Sequence, residues 1–487
     1  MLKPLSAGDA RRLRDFLAAS SYSHRTFSET PLLRQPPNRL SDPASLPAWI
    51  GEPSARNLLL RLFFFGYPQP REAAGDLLPE PILRLLLEAG MVAGDAAALA
   101  PAVMLTPYHD SLFASDSAAR MRSSGSGDIV VWPNPASLLL HLFAIASPVE
   151  TTLDLGAGCG ILGILAAPHS SRVVATDLNP RAGPLVAFNA ALNGAGNVEY
   201  LTGDTYEPVR GRAFDRILAN PPFFLTPGCE RLYCENSMDL DDYCRRVVRE
   251  GAQHLAEGGY LQALLEWAQV RGQSWQERLA GWLDGTGCDA WILRRYTRDA
   301  AAYAEERIRA AWPHEPPETR LAAWTAYYRE RGVEEVHGGM LAMRRRPGTN
   351  WLRIEELLAD AAEPFGDAVL ETFATQDILA AGPTDVELLR MRPLLSSRAQ
   401  LEQSCRAAGG KWAVTSARLL LTGGAPASLA VEPQVAEFLA RCDGLRTLEE
   451  LARDLAARVG VPPDAACRQG CAVVRTLADR RFLQIVR

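Results

Sequence analysis

Asp154-Leu155-Gly156-Ala157-Gly158-Cys159-Gly160 is the stretch that decides the fold. An apolar run at 151–155 leads into it and a second one, at 161–167, leaves it. The first run is short enough for a buried strand and the second has helical spacing. A chain that turns this sharply from strand to helix needs backbone conformations that side chains obstruct, and Gly156, Gly158 and Gly160 supply them. Such a turn also lets the backbone approach a nucleotide-like ligand closely. The spacing Asp-x-Gly-x-Gly-x-Gly departs from the Gly-x-Gly-x-x-Gly pattern of dinucleotide binders.

Working outward, the rhythm of strand and helix continues. Strands are predicted at 172–176, 198–202, 214–219, 260–265, 290–295 and 338–345, and helices at 184–193, 240–256 and 269–283. This alternation argues for βαβ units and an α/β fold with a doubly wound, mostly parallel sheet. An amphipathic insertion at about 299–331 carries Tyr303, Ile308, Trp312, Trp324, Tyr327 and Tyr328, whose simplest role is packing. Asp177 closes the second strand, 23 residues after Asp154, where a carboxylate can accept both hydroxyls of a ribose. Asp154 precedes the first glycine and is placed to hold the loop or to meet a ligand's ammonium. Asp204 follows the third strand, within reach of an adenine amino group.

The fourth strand ends in Asn220-Pro221-Pro222-Phe223, 66 residues after Asp154. The side-chain oxygen of Asn220 and the carbonyl of Pro221 can together accept two N–H hydrogens, Pro222 stiffens the loop, and Phe223 offers a flat face for a planar group. Tyr233 to Tyr243, with Glu235, Asp239, Asp241 and Asp242, follows closely enough to line an acceptor pocket or to start a solvated helix.

Residues 128–346 resemble a class I S-adenosylmethionine-dependent methyltransferase of the Asn-Pro-Pro-Phe/Tyr group. The resemblance rests on Asp154 to Gly160, Ala175-Thr-Asp-Leu-Asn-Pro180, Gly203-Asp204 and Asn220 to Phe223. It implies a Rossmann-like fold with S-adenosyl-L-methionine as cofactor. Asp154, Gly156, Gly158, Gly160, Asp177, Asn179, Asp204 and Asn220 would hold that cofactor, and Asn220, Pro221, Pro222 and Phe223 would carry the transfer. It also implies a strap over the cofactor at Trp132-Pro133-Asn134-Pro135. No metal is needed, because the methyl group arrives activated on a sulfonium. Members of the group methylate adenine N6, guanine N2 or the glutamine amide of release factors. The phenylalanine in fourth position leans toward an exocyclic nucleobase amine in RNA, and the alternative is a glutamine or peptide nitrogen.

The rest of the chain bounds these readings. At 487 residues it fits about three domains, expected at 1–122, 128–346 and 350–487. The first has a helix-then-hairpin order, and the last has short strands at 419–421 and 429–431, then helices and a strand at 482–486; both suggest winged-helix-like domains. The joint between the first two is Ser123-Ser124-Gly125-Ser126-Gly127. Residues 415–487 resemble the PqqD-like peptide-recognition fold through Arg418-Leu-Leu-Leu-Thr and Cys442 to Ala452, which would dock a peptide substrate. Net charge is −6, against a dedicated nucleic-acid binder, yet residues 1–71 carry a net +5, which favours RNA. Nine cysteines include no Cys-x-x-Cys pair, and Cys467 and Cys471 share a helix face as buried reduced thiols. No apolar run reaches the ~18 residues that span a bilayer, and the first residues lack a secretory signal. A cytoplasmic protein without membrane contact is expected, with RNA or a protein as its partner.

Overall fold

The computed structural model describes residues 2–34, 46–122, 127–313, 315–357, 359, 363–423 and 425–486. The expected joint at 123–126 lies outside the described residues. The chain forms two compact units, one of residues 1–141 and 147–354, the other of residues 142–146 and 355–487.

The first unit is built on a long sheet. Its strands are β1 (Val149–Leu155), β2 (Ser170–Asp177), β3 (Val198–Thr202), β4 (Phe214–Ala219), β5 (Leu255–Val270), β6 (Cys288–Asp299), β7 (Val333–Arg345) and β8 (Leu352–Glu356). The order across the sheet is β8-β6-β7-β5-β4-β1-β2-β3. From β3 to β5 neighbouring strands run parallel, and β7 is antiparallel to both β5 and β6. The sheet is therefore α/β, Rossmann-like and mostly parallel. Leu153, Val174, Ile217, Ala219, Leu261 and Ala263 lie in its core, as expected for strands covered on both faces.

The strand order makes a crevice. The chain leaves β1 toward β2 and β3, then crosses back to β4 on the other side of β1. The loops after β1 and β4 therefore diverge at the point where open α/β sheets bind ligands. The register Leu155↔Ala219 places Gly156 beside Asn220 at that point.

Helices α1 (Pro135–Phe143), α2 (Ile161–Ala166), α3 (Ala182–Asn193) and α4 (Asp242–Gln253) belong to this framework. The insertion is two helices, α5 (Ala300–Ala311) and α6 (Glu318–Glu330). Their aromatic residues bury one another together with Leu225, Cys234 and Leu240.

Before the sheet lie helices at Ala7–Ala19, Arg71–Leu77 and Glu80–Glu88, and a small sheet of Gln69–Pro70, Ala98–Pro101 and Val92–Gly94. Strand Val103–Tyr108 pairs with Ser111–Asp116 straight through Pro107. The ribbon has only two strands, so a proline without an N–H can sit where that group would face no partner. In the second unit the strand expected at 419–421 is the end of a longer one, Lys411–Leu421, whose pairing with Ala399–Ala408 was not foreseen. The small and polar residues of this hairpin are largely exposed and give no alternation to read. The cap at Thr447 with Glu450 is present as expected.

Candidate functional site

A cleft of about 360 Å³ opens at the crevice between β1 and β4, within the range of small-molecule sites of about 300–1,000 Å³. Gly156, Gly158, Asp177, Asn179, Asp204, Asn220, Pro221 and Pro222 all line it. Three other expected site residues stand back from its surface.

The glycine turn has φ of +73°, +55° and +84° at Gly156, Gly158 and Gly160, a region that side chains rarely enter. Gly156 and Ala157 donate their N–H groups to the Thr176 carbonyl at the end of β2. Gly160 starts α2 and lies behind the cleft wall, where an added Cβ would be 3.2 Å from Val186. Asp154 also lies beneath the cleft. It is fully buried, and its Oδ2 accepts the N–H of Gly163 in α2 at 2.7 Å. Of the two roles expected for Asp154, this bond is the one that holds the turn. Burial pushes its carboxyl up to about 7, against the pull of the Gly163 N–H and with a further push from the charge of Asp177.

Asp177 bridges the turn and the next loop. Its Oδ2 accepts from Gly158 N–H at 2.7 Å and its Oδ1 from Asn179 N–H at 2.8 Å. Burial raises its pKa, partly offset by those two bonds. Asn179 is nine-tenths buried or more and donates to the Asp128 carbonyl at 2.7 Å, tying the segment ahead of Trp132 to the sheet. Ile129 to Trp132 then run along the cleft. Asp204 accepts from Thr205 Oγ1 at 2.7 Å and from Arg246 at 2.8 Å. Burial raises its pKa, but these partners outweigh it and the carboxyl sits below its ordinary value.

The Asn220 amide is the most telling group. Its Nδ2 donates to Ser137 Oγ on α1 at 3.0 Å, while its buried Oδ1 has no hydrogen-bond partner among the described residues. The glycine turn is close by, since a Cβ built on Gly156 would lie 4.0 Å from the Asn220 carbonyl oxygen. A buried acceptor without a donor is costly and calls for a partner. The Pro222 carbonyl accepts from Asn236 Nδ2 at 2.8 Å, which joins the following loop to the motif. Phe223 does not line the cleft. Its ring packs on the core cluster, with its centroid 5.8 Å from that of Phe224.

Several lining residues were not foreseen. Ser137 and Arg246 carry no local pattern that marks them, because each meets its partner across 83 and 42 residues of intervening strands and helices. Glu235, Asn236 and Met238 lie in the segment after the motif that was left open between pocket wall and helix start, and they line the cleft. Three carboxylates (Asp177, Asp204, Glu235) and one guanidinium (Arg246) make up its charge. Among the described residues, no group of three or more His, Cys, Asp or Glu could hold a metal ion. No helix among them is long and apolar enough to cross a membrane.

Residues 134–271 match the family described as Methyltransferase small domain. The release factor glutamine methyltransferase of Cereibacter sphaeroides is 33% identical over 170 residues, 32% of this chain and 58% of that protein. The ribosomal protein uL3 glutamine methyltransferase of Bradyrhizobium diazoefficiens is 31% identical over 150 residues, 28% of this chain and 47% of that protein. The chain thus spans about half the length of the curated relatives it matches. Among solved structures, Trm5b from Pyrococcus abyssi aligns at 17% identity with a TM-score of 0.31, over 50% of this chain and 56% of that one.

Proposed function

We propose that this protein transfers a methyl group from S-adenosylmethionine to the side-chain amide nitrogen of a glutamine in a protein. The reading is carried by one observation: the buried, unpartnered Oδ1 of Asn220 in a cleft wall beside a glycine turn. The cofactor fits the residues present. The left-handed glycines leave its approach clear, Asp177 would accept from its ribose, Asp204 would face its adenine, and the three carboxylates suit a ligand that carries a sulfonium.

When bound, the cofactor supplies an electrophilic methyl group on a good leaving group, a neutral thioether. The chain's own task is to make a poor nucleophile ready. An amide nitrogen has its lone pair delocalised into the carbonyl. Asn220 Oδ1 and the Pro221 carbonyl would accept its two N–H hydrogens, hold the nitrogen toward tetrahedral geometry and stabilise the positive charge that grows there, which is lost as one of those hydrogens leaves to solvent as a proton once the N–C bond has formed and the C–S bond has broken. Ser137 fixes the Asn220 side chain, and Asn236 fixes the Pro222 carbonyl, so the clamp is rigid before the acceptor arrives.

Two features support a glutamine over the nucleobase that the fourth-position phenylalanine first suggested. Phe223 lies outside the cleft lining, and a glutamine amide needs no ring to stack on. The predominance of carboxylates in the cleft opposes a phosphate backbone. The named activities of the two relatives above point the same way. The flanking residues, expected as separate domains at 1–122 and 350–487, would then present the acceptor protein, and 415–487 would grip a peptide.

The test is transfer of label from S-adenosylmethionine to purified release factors, ribosomal protein uL3 and bulk RNA, in parallel. Label at a protein glutamine supports the reading, and label confined to RNA overturns it. Asn220→Ala is expected to lower transfer by about 100- to 1,000-fold, with S-adenosylhomocysteine still bound. Asp177→Ala is expected to weaken cofactor binding first. Full activity in Asn220→Ala would remove the clamp from the mechanism.

A further inference from the structure

The segment 225–240 has no regular secondary structure, yet it forms one wall of the cleft through Tyr233, Glu235, Asn236 and Met238. Its middle is partly self-bonded, through the N–H groups of Glu230, Arg231, Cys234, Glu235 and Met238, but those of Leu225 and Leu240 at its ends find no partner within it, and Leu240 has an unfavourable φ of +45°. Such a stretch keeps a defined shape only if something outside it supplies partners.

The insertion supplies them, and does so at both ends. Tyr327 and Tyr328 are adjacent on α6. The Tyr328 hydroxyl donates to the Leu225 carbonyl at 2.6 Å, and the Tyr327 hydroxyl accepts the Leu240 N–H at 2.8 Å while facing Asp239 Oδ1 at 3.1 Å. From α5, the Tyr303 hydroxyl accepts the Leu225 N–H at 3.1 Å and donates to the buried Glu266. Further along, Arg320 pairs with Glu230 at 2.8 Å and Arg231 lies 5.4 Å over the Trp312 ring. The side chains beneath form a single buried cluster with Leu225, Cys234 and Leu240. The wall is joined to the Asn220 to Phe223 motif by a hydrogen bond. The link is Asn236, whose amide reaches the Pro222 carbonyl.

We infer that the α5–α6 insertion is the element that selects the acceptor: its tyrosines are positioning residues that hold 225–240 as the acceptor wall, leaving the cofactor wall of glycine turn, Asp177 and strap to the sheet. Within that wall Glu235 sets the chemistry of the partner. It is buried, and its Oε2 already accepts the N–H groups of Glu230 and Arg231 at 2.7 and 2.8 Å. A carboxylate so placed favours a flanking group on the acceptor that donates or is positive, such as a backbone amide or an arginine, and disfavours phosphate. The inference rests on the methyl-transfer reading above.

The experiment compares wild type with Tyr327→Phe, Tyr328→Phe and the double variant, which delete hydroxyls and leave the packing. The acceptor probe is a capped peptide with one central glutamine, and the cofactor probe is S-adenosylhomocysteine. Losing one or two such bonds should raise KM for the peptide by about 5- to 30-fold in the double variant. Cofactor binding should stay within about twofold, and hydrogen exchange should quicken across 225–240. An unchanged peptide KM with faster exchange overturns the selector role. Equal losses in peptide and cofactor binding also overturn it, since they mark general loosening. If the double variant does not fold, either single variant gives the same comparison. Wild-type protein that methylates no glutamine probe, while exchange at 225–240 responds as stated, sinks the glutamine reading and with it the acceptor assignment, but leaves the brace itself standing.

Discussion

Asp154 shows what burial does to a residue chosen from sequence. It was expected to hold the turn or greet a ligand, and the structure puts its carboxylate under the turn, bonded to Gly163. The consequence is a pH signature. In the unfolded chain the carboxyl ionises near its ordinary 3.8, whereas in the folded protein burial holds the proton until about 7. The folded state therefore binds the extra proton between these values, and stability falls as pH rises from 3.8 to about 7, then levels. Asp154→Asn keeps an acceptor for Gly163 but cannot titrate. Its melting temperature, measured on the free protein at pH 5 and pH 8, is expected to fall less than that of wild type. A parallel fall in both would mean that Asp154 ionises normally. Asn220 is the converse case. Its place at the cleft was readable from four residues, but the hydroxyl that its Nδ2 meets, on Ser137, lies 83 residues away and had no signal at all.

At the scale of elements, the parallel strands were legible because each is a short apolar run with turn residues at its ends. The three strands at the far side of the sheet were underestimated. β5 runs 16 residues, past the expected 260–265; in its continuation Trp267 is buried against Trp275, Leu279 and Trp282 of the following helix, while Ala268 on the other face is buried by the insertion. Its partner β7 carries Gly338 and Gly339 where β6 and β5 crowd it. A Cβ on Gly339 would meet the Leu293 carbonyl oxygen at 2.2 Å, and one on Gly338 would meet the Tyr296 ring at 2.1 Å. That ring cannot swing away, since its hydroxyl is held by Glu266 and Arg307. Gly339→Ala is expected to cost about 1–3 kcal/mol or more, as overpacking does. Urea unfolding would show this as a lower midpoint at unchanged slope. A midpoint equal to wild type would mean that the strands separate easily there.

At the scale of the whole molecule, the second compact unit is not contiguous in sequence. It takes in residues 142–146, between the strap and β1. Within it the Phe365 N–H donates to the Leu142 carbonyl at 2.8 Å, and the Phe143 and Phe365 rings lie 5.3 Å apart. A chain ending at 354 would strip cover from Phe143 and Ile145, each worth about 1.5–3 kcal/mol of burial. Such a fragment is expected to self-associate, which light scattering would detect, and a monodisperse monomer would count against this account. By itself the sequence determined the alternation of strands and helices, the left-handed glycine turn, the Asn-Pro-Pro-Phe loop and the helix caps. All of these follow from constraints that act over a few residues: side-chain periodicity, allowed φ and local hydrogen bonding. Tertiary structure alone decided that Gly156 stands beside Asn220, that Ser137 meets the Asn220 amide, that Phe223 packs on the core cluster, and that tyrosines 78 to 103 residues downstream hold Leu225. Those partners are brought together by crossover connections and a long insertion, and no short-range rule in the chain records which distant surface a given loop will meet.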